Sequence, residues 1–170
     1  MHAFAEWLQA TPLSVAIQST LWVTPVVQTI HIVMIGIVFV SMLNVTLRVL
    51  GRMRADEPLP AVWRRFAPWF WSALGVMAAT GLVLAISEPI RQVSALSFWL
   101  KMSLLAIGIV SALSFGRAIA GAVAAGAANP TPSGRARVLA VATILLWIAI
   151  MVLGRWIAYD VEIWESWHLA

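Results

Sequence analysis

Long apolar runs, separated by short polar segments, dominate the pattern of the chain. A bilayer-spanning helix needs about 20 mainly apolar residues, and each run is long enough. Open strands would leave backbone groups unpaired in lipid, so helices are the favoured interpretation. The sequence therefore predicts four membrane-spanning helices, over about residues 25–47, 67–88, 97–122 and 136–159.

A shorter helix is predicted before the first span, over about residues 12–20. Thr11-Pro12 combines an N-cap residue with proline at the first helical position, and Thr24-Pro25 repeats this start signal at the first span. Because the segment is short and mixed in polarity, we expect it to lie in the membrane interface. The predicted fold is an all-α, integral membrane four-helix bundle, forming one domain over residues 1–170.

Composition supports lipid as the solvent of this chain. Hydrophobic residues make up 62% of it and charged residues 11%, whereas a soluble domain has about a quarter of its residues charged. Ten tryptophans fit aromatic belts at the two interfaces. The absence of cysteine excludes disulfides and thiolate chemistry.

The positive charges collect between the apolar runs and predict an orientation. The net charge of +4 could suggest nucleic-acid binding, but the cations form no stripe, so no such partner is expected. Cytoplasmic loops are rich in Lys and Arg. We therefore expect a bacterial inner membrane protein with both termini on the periplasmic side. The first and third loops supply this signal through Arg52, Arg54, Arg64 and Arg65, and through Arg117, Arg135 and Arg137.

Small residues recur every four positions along the third span and form a small-residue stripe. Such a stripe lets another helix approach closely in a membrane. It predicts a packing surface for another helix of this chain, for a second copy or for a membrane protein partner. The stripe consists of Gly108, Ala112, Gly116, Ala120 and Ala124.

His31 is the most informative single residue. It lies six residues after Pro25, about 9 Å into the first span from its outer end. An ionisable group at that depth is a functional-site hypothesis, with His31 as the candidate metal ligand. Gln28, three residues earlier, lies on about the same face. The alternative is a structural hydrogen bond between helices.

Two cations lie at the same outer level as His31. Lys101 is one turn into the third span, and Arg155 is near the end of the fourth. Together with His31 and Gln28 they form a candidate cofactor-binding set, suited to haem propionates or to the carbonyl oxygens of a quinone. The alternative is that these cations extend to the headgroups or form ion pairs.

Three short motifs support a family resemblance: TPVVQTIHIV (24–33), SFWLKMSLL (97–105) and LGRWIAY (153–159). Through them the chain resembles a family of uncharacterised bacterial four-helix membrane proteins. It is broadly similar to CopD-type copper-resistance proteins and to four-helix cytochrome b domains. The resemblance implies that His31 is a ligand to haem b, with a second ligand from Met77, Met102 or His168, or none. One intramembrane histidine, where di-haem proteins have four, excludes two haems.

Three functions remain open from the sequence. The first is a redox or ligand-binding membrane subunit, with electron transfer as its candidate role and one haem b or a quinone near the outer face. The second is a non-enzymatic structural or assembly subunit, and the third is a small transporter. No hydrolytic or transferase motif is present, because no serine, histidine and carboxylate arrangement stands out.

Overall fold

The computed structural model describes residues 2–160 and 162–164, and this part of the chain is helical with no strand. The all-α prediction is confirmed. His168, named above as a possible second ligand, lies outside the described residues. The helices are α1 (His2–Gln9), α2 (Pro12–Ser19), α3 (Val23–Val49), α4 (Leu59–Ser87), α5 (Pro89–Ser94), α6 (Leu96–Ala124) and α7 (Gly134–Trp156), followed by a 3₁₀ turn, Ile157–Tyr159.

Four helices of the described chain, α3, α4, α6 and α7, are long and apolar enough to cross a membrane. Their most apolar segments have mean hydropathies of 1.8 to 2.5, yet at most a third of each segment is buried inside the bundle. The outward faces carry exposed Leu, Ile and Val, a surface that requires an apolar solvent. The protein is therefore a multi-pass membrane protein.

The long helices form a ring in chain order. Helix α3 packs against α4 and α7, and α6 packs against α7 and, more sparsely, against α4. One end of the bundle holds α1, α2, α5 and the 3₁₀ turn, and we call it the terminal end. The other holds the loops at residues 50–58 and 125–133, and we call it the arginine-rich end.

An apolar cluster from all four long helices fills the middle of the bundle. Phe70 of α4 lies at its centre, with edge-to-face contacts to Trp71 and to Trp147 of α7. Edge-to-face pairs of this kind add to the stability gained from burial. The buried members of this main apolar cluster are Val38, Met42, Phe70, Ala73, Leu74, Met77, Ala112, Trp147 and Ile150.

The small-residue stripe on α6 packs, over part of its length, against indole rings of this same chain. A Cβ added at Gly108 would lie 3.3 Å from Trp147 Cζ2, and one added at Gly116 would lie 2.8 Å from Trp63 Cζ2. Ala112, between them, is buried. Ala120, like Ala124 one turn beyond it, stays exposed. The buried half of the stripe is therefore used inside the protein and is not free for a partner.

Helix α4 begins at Leu59, before the uncharged run that the sequence analysis used to place the second span. Extended backbone at Pro58 and a proline in the first turn favour this start. Leu59 then joins a second apolar cluster with Val49, Ile119 and Ala140 at the arginine-rich end. The extra turns are stabilised by this packing.

At the arginine-rich end, Arg48 is buried and bound by main-chain and amide oxygens. Its Nε donates to the Glu57 carbonyl at 2.6 Å, and its Nη2 donates to Asn129 Oδ1 at 3.3 Å. The same Asn129 oxygen accepts the Leu59 backbone N–H at 3.1 Å. One amide of the α6–α7 loop thus joins the ends of α3 and α4.

At the terminal end, Asp160 caps helix α6 from a distant part of the sequence. Its two carboxylate oxygens accept the backbone N–H groups of Leu96 and Ser97, each at 2.9 Å. The first N–H groups of a helix have no partner within the helix, and a carboxylate there also complements the helix dipole. This contact holds the end of α7 against the start of α6.

Candidate functional site

His31 lies inside the bundle and faces α4. It is eight residues into α3, about 12 Å from the start of the helix at the terminal end. Its Nδ1 is 2.9 Å from Oγ1 of Thr80, which is buried. The imidazole also interacts with the main chain at Met77, one turn deeper in α4. The histidine side chain is therefore oriented by a single partner helix.

A glycine makes the close approach of His31 possible. A Cβ added at Gly81 would lie 3.3 Å from His31 Cε1, which is tighter than an ordinary carbon–carbon contact of 3.5–4.0 Å. Thr80 and Gly81 are adjacent in α4, so one supplies the polar partner and the other the space. These two residues fix the position of the imidazole ring between α3 and α4.

Lys101 lies between α6 and α7, much as His31 lies between α3 and α4. It is on the second turn of α6, is half-buried, and lies along α7 where Gly154 leaves room for it. A Cβ added at Gly154 would lie 3.3 Å from Lys101 Nζ. No carboxylate of the described chain lies within ion-pair distance of Nζ. A half-buried ammonium without a counter-ion is costly in an apolar environment.

The two side chains share one interior region near the terminal end. Lys101 is close enough to His31 for its charge to act on the imidazole. All four long helices contribute, because Thr80 with Gly81 supports the histidine and Gly154 the lysine. We call this arrangement the His31–Lys101 site. The main apolar cluster, with Met77 as its member from the same face of α4, lies deeper in the bundle.

Gln28 and Arg155, the other two predicted site residues, lie elsewhere. Both are exposed. Arg155 donates to the Tyr159 hydroxyl at 3.2 Å, with its guanidinium 5.2 Å from the centre of that ring. Gln28 makes no side-chain hydrogen bond with any residue that the structure describes. Of the four predicted residues, His31 and Lys101 are thus half-buried near the terminal end, whereas Gln28 and Arg155 are exposed.

Nothing in the sequence alone identifies Thr80, Gly81 or Gly154 as site residues. Hydroxyl and small residues are frequent in membrane helices, so none of the three stands out in one sequence. The adjacent pair Thr80-Gly81, near the end of an apolar run, is the one sequence feature that indicates α4 as the partner of His31.

The arrangement limits the kind of ligand that could bind. In the described part of the chain, no group of three or more His, Cys, Asp or Glu side chains could hold a metal ion. His31 could instead supply one nitrogen ligand to a metal held in a prosthetic group. Lys101 could donate to carbonyl or carboxylate oxygens. These donors suit a ligand that brings oxygen atoms into an apolar interior.

Residues 4–160 match a family described as "Family of unknown function (DUF6644)". The chain belongs to this family. The matched range includes all the residues of the His31–Lys101 site, as well as both exposed residues, Gln28 and Arg155. No curated protein and no solved structure matches the chain.

Proposed function

We propose that this DUF6644 protein is a membrane subunit that binds one redox cofactor, a quinone or haem b, at the His31–Lys101 site. The observation that carries the proposal is the pair itself. A helix-oriented imidazole and an ammonium without a counter-ion in the described chain are both half-buried near the same end of an apolar bundle, close enough for the charge of one to act on the other. Ionisable groups at membrane depth are rare because they are costly, and they usually mark functional sites.

Lys101 supports an oxygen-bearing ligand. Its ammonium has three donors and no ion-pair partner in the described chain, so a ligand that brings acceptor oxygens would satisfy it. Quinone carbonyls and haem propionates both provide such oxygens. Gly154 leaves the Lys101 stem free of steric hindrance from α7.

His31 supports the same two cofactors. The structure records a hydrogen bond at Nδ1 and none at Nε2 within the described residues. A histidine that donates one ring N–H to the protein commonly offers its other nitrogen to a metal or substrate. For haem b this would supply one nitrogen ligand to the iron, and Met102, half-buried and next to Lys101 in the chain, is a candidate for a second ligand. The resemblance to four-helix cytochrome b domains favours the same role.

A lipid-soluble cofactor would have a route to this site. Helices α4 and α6 make the fewest contacts of any neighbouring pair in the ring. Trp63 of α4 and Phe115 of α6 bridge the two helices at the arginine-rich end, with 5.4 Å between their ring centroids. A quinone could enter from the bilayer between α4 and α6 nearer the terminal end, with its tail remaining in lipid.

We also propose that the arginine-rich end faces the cytoplasm of a bacterial inner membrane. Eight of the ten arginines lie at that end, in the first loop or in the parts of the long helices nearest to the two loops, and this is the distribution that the positive-inside rule requires of a cytoplasmic face. The His31–Lys101 site would then lie in the outer half of the membrane, with both termini periplasmic. Reporter fusions at residue 55 and after the last residue test this, and activity of a periplasmic reporter at residue 55 would overturn it.

The binding proposal is tested on protein purified in a mild detergent. We expect either a Soret band or a quinone that can be extracted in stoichiometric amount. Lys101→Met should lose either cofactor and His31→Ala should lose haem b or a quinol, whereas Gln28→Ala and Arg155→Ala, at exposed positions, should retain the cofactor. A colourless protein that neither contains quinone nor binds added haemin or ubiquinone would refute the proposal and leave the structural subunit as the better hypothesis.

A further inference from the structure

The hydroxyl proton of Thr80 is already used within α4. Thr80 Oγ1 lies 2.9 Å from the Val76 carbonyl oxygen and 3.1 Å from the Met77 carbonyl oxygen. A carbonyl oxygen can only accept, and a hydroxyl has a single proton. Back-bonding from a threonine hydroxyl to the carbonyl four residues earlier is common in membrane helices. The proton of Thr80 therefore points to the main chain of its own helix.

This assignment determines the role of the His31 nitrogen that faces Thr80. If the hydroxyl donated to Nδ1 instead, Thr80 Oγ1 and the Val76 oxygen would face each other at 2.9 Å with no proton between them, which is repulsive. With the proton on the main-chain side, Thr80 Oγ1 presents a lone pair to Nδ1 at 2.9 Å. Nδ1 must then be the donor.

We infer that Thr80 is a positioning residue that holds the neutral His31 imidazole as the Nδ1–H tautomer and leaves the lone pair on Nε2 for the ligand. The neutral ring has one N–H, so a donor at Nδ1 requires an acceptor at Nε2. Gly81 supports this arrangement because it lets the ring lie close enough to α4 for the bond to form.

The tautomer defines the chemical class of the group that faces His31. Nε2 can bind a metal ion or accept a proton from a hydroxyl, but it cannot donate to a bare carbonyl. At this nitrogen the site therefore suits haem iron or the hydroxyl of a quinol, whereas an oxidised quinone can be bound through Lys101 alone. This conclusion about the ligand rests on the proposed function, while the tautomer itself does not.

The tautomer is measured without any ligand. With His2→Gln and His168→Gln, a ¹⁵N-histidine-labelled protein in lipid nanodiscs reports His31 alone. We expect a protonated Nδ1 and an unprotonated Nε2. Thr80→Val, which keeps the shape but removes the oxygen, should lose this preference, and Thr80→Ser should retain it. Thr143→Val is the matched control, since Thr143 of α7 is half-buried and back-bonds to Leu139 in the same way, but has no hydrogen bond to His31.

Two results would overturn the inference: a protonated Nε2 in the parent protein, or a Thr80→Val spectrum that is unchanged while Trp fluorescence shows a folded protein. A second arm compares a short-chain ubiquinol with its oxidised quinone. One additional hydrogen bond corresponds to about 3- to 10-fold tighter binding of the quinol, lost in Thr80→Val. If the Nδ1–H tautomer is found but ubiquinol, ubiquinone and haemin all fail to bind, the proposed function is wrong and the role of Thr80 stands.

Discussion

Replacing Gly116 by alanine tests the packing of α6 on α4 directly. The new Cβ would lie 2.8 Å from Trp63 Cζ2, whereas two carbon atoms pack best at about 3.5–4.0 Å. One of the two must therefore move by about 0.7 Å. The Trp63 ring has little freedom to do so, because it is half-buried and packs edge-on against Phe115.

The expected magnitude comes from two opposing effects. Overpacking of this kind costs about 1–3 kcal/mol. Alanine is also a better helix former than glycine, which contributes about 1 kcal/mol in the opposite direction. Gly75→Ala is the matched control: it is also in the middle of a long helix, but its Cβ would meet nothing within 4 Å. We expect Gly116→Ala to be about 1–3 kcal/mol less stable than Gly75→Ala.

The assay is unfolding in mixed micelles by a denaturing detergent, followed by far-UV circular dichroism. A double variant, Gly116→Ala with Trp63→Phe, removes the ring atom that clashes and should recover part of the loss. Contacting residues show coupling energies of about 0.5–3 kcal/mol in such cycles. If Gly116→Ala is as stable as Gly75→Ala, the stripe does not pack against Trp63, and its use by an external partner becomes the better interpretation.

Three further substitutions test the ends of the bundle and its buried cations, with the same unfolding assay. Asp160→Ala should lower the free energy of unfolding by about 1–2 kcal/mol because it uncaps α6, whereas Glu162→Ala should have little effect; equal effects would contradict the capping role. Asn129→Ala should lower the free energy of unfolding by about 1–3 kcal/mol, because Arg48 and the Leu59 N–H lose their shared acceptor. Asn129→Asp keeps the acceptor oxygen and should be as stable as the parent protein. If both variants are destabilised equally, the acceptor oxygen is not the cause. Lys101→Met should raise the free energy of unfolding by about 1 kcal/mol, since it removes an uncompensated cation. Arg48→Met should lower the free energy of unfolding, because it removes a cation that the chain compensates. If Lys101→Met is destabilised, the lysine has a structural role.

Much of the fold followed from the sequence because membrane helices need long apolar runs with few charges. The same criterion could not locate the short helices α1 and α5. Helix α5 has six residues, and its helical form depends on Pro89 at its start and on packing against its neighbours. It also could not place the start of α4, where buried Leu59 extends the helix past Arg64 and Arg65 to the arginine-rich end.

The candidate site followed from the sequence only as far as single unusual residues could indicate it. His31 and Lys101 stand out because an ionisable group within an apolar run is rare. The partner of His31, Thr80, is 49 residues away, and Asp160 is 64 residues from the backbone group that it caps. Such pairs depend on which face of each helix points into the bundle, and the packing of all four long helices determines those faces. Helical spacing predicts that Gln28 lies on the same face as His31, but Gln28 is exposed in the structure. Spacing along one helix is therefore not enough to predict which side chains point into the bundle.

The contrast between the two buried cations bears most directly on function. Arg48 lies among acceptors that the chain itself supplies, a main-chain carbonyl and the Asn129 amide oxygen. Lys101 lies beside Gly154, which cannot compensate its charge, and no carboxylate of the described residues is within ion-pair distance. Because a half-buried cation without a partner lowers stability, packing alone gives no reason for Lys101 at this position. A ligand with acceptor oxygens supplies that reason, and this is why binding, rather than a purely structural role, is the function to test first.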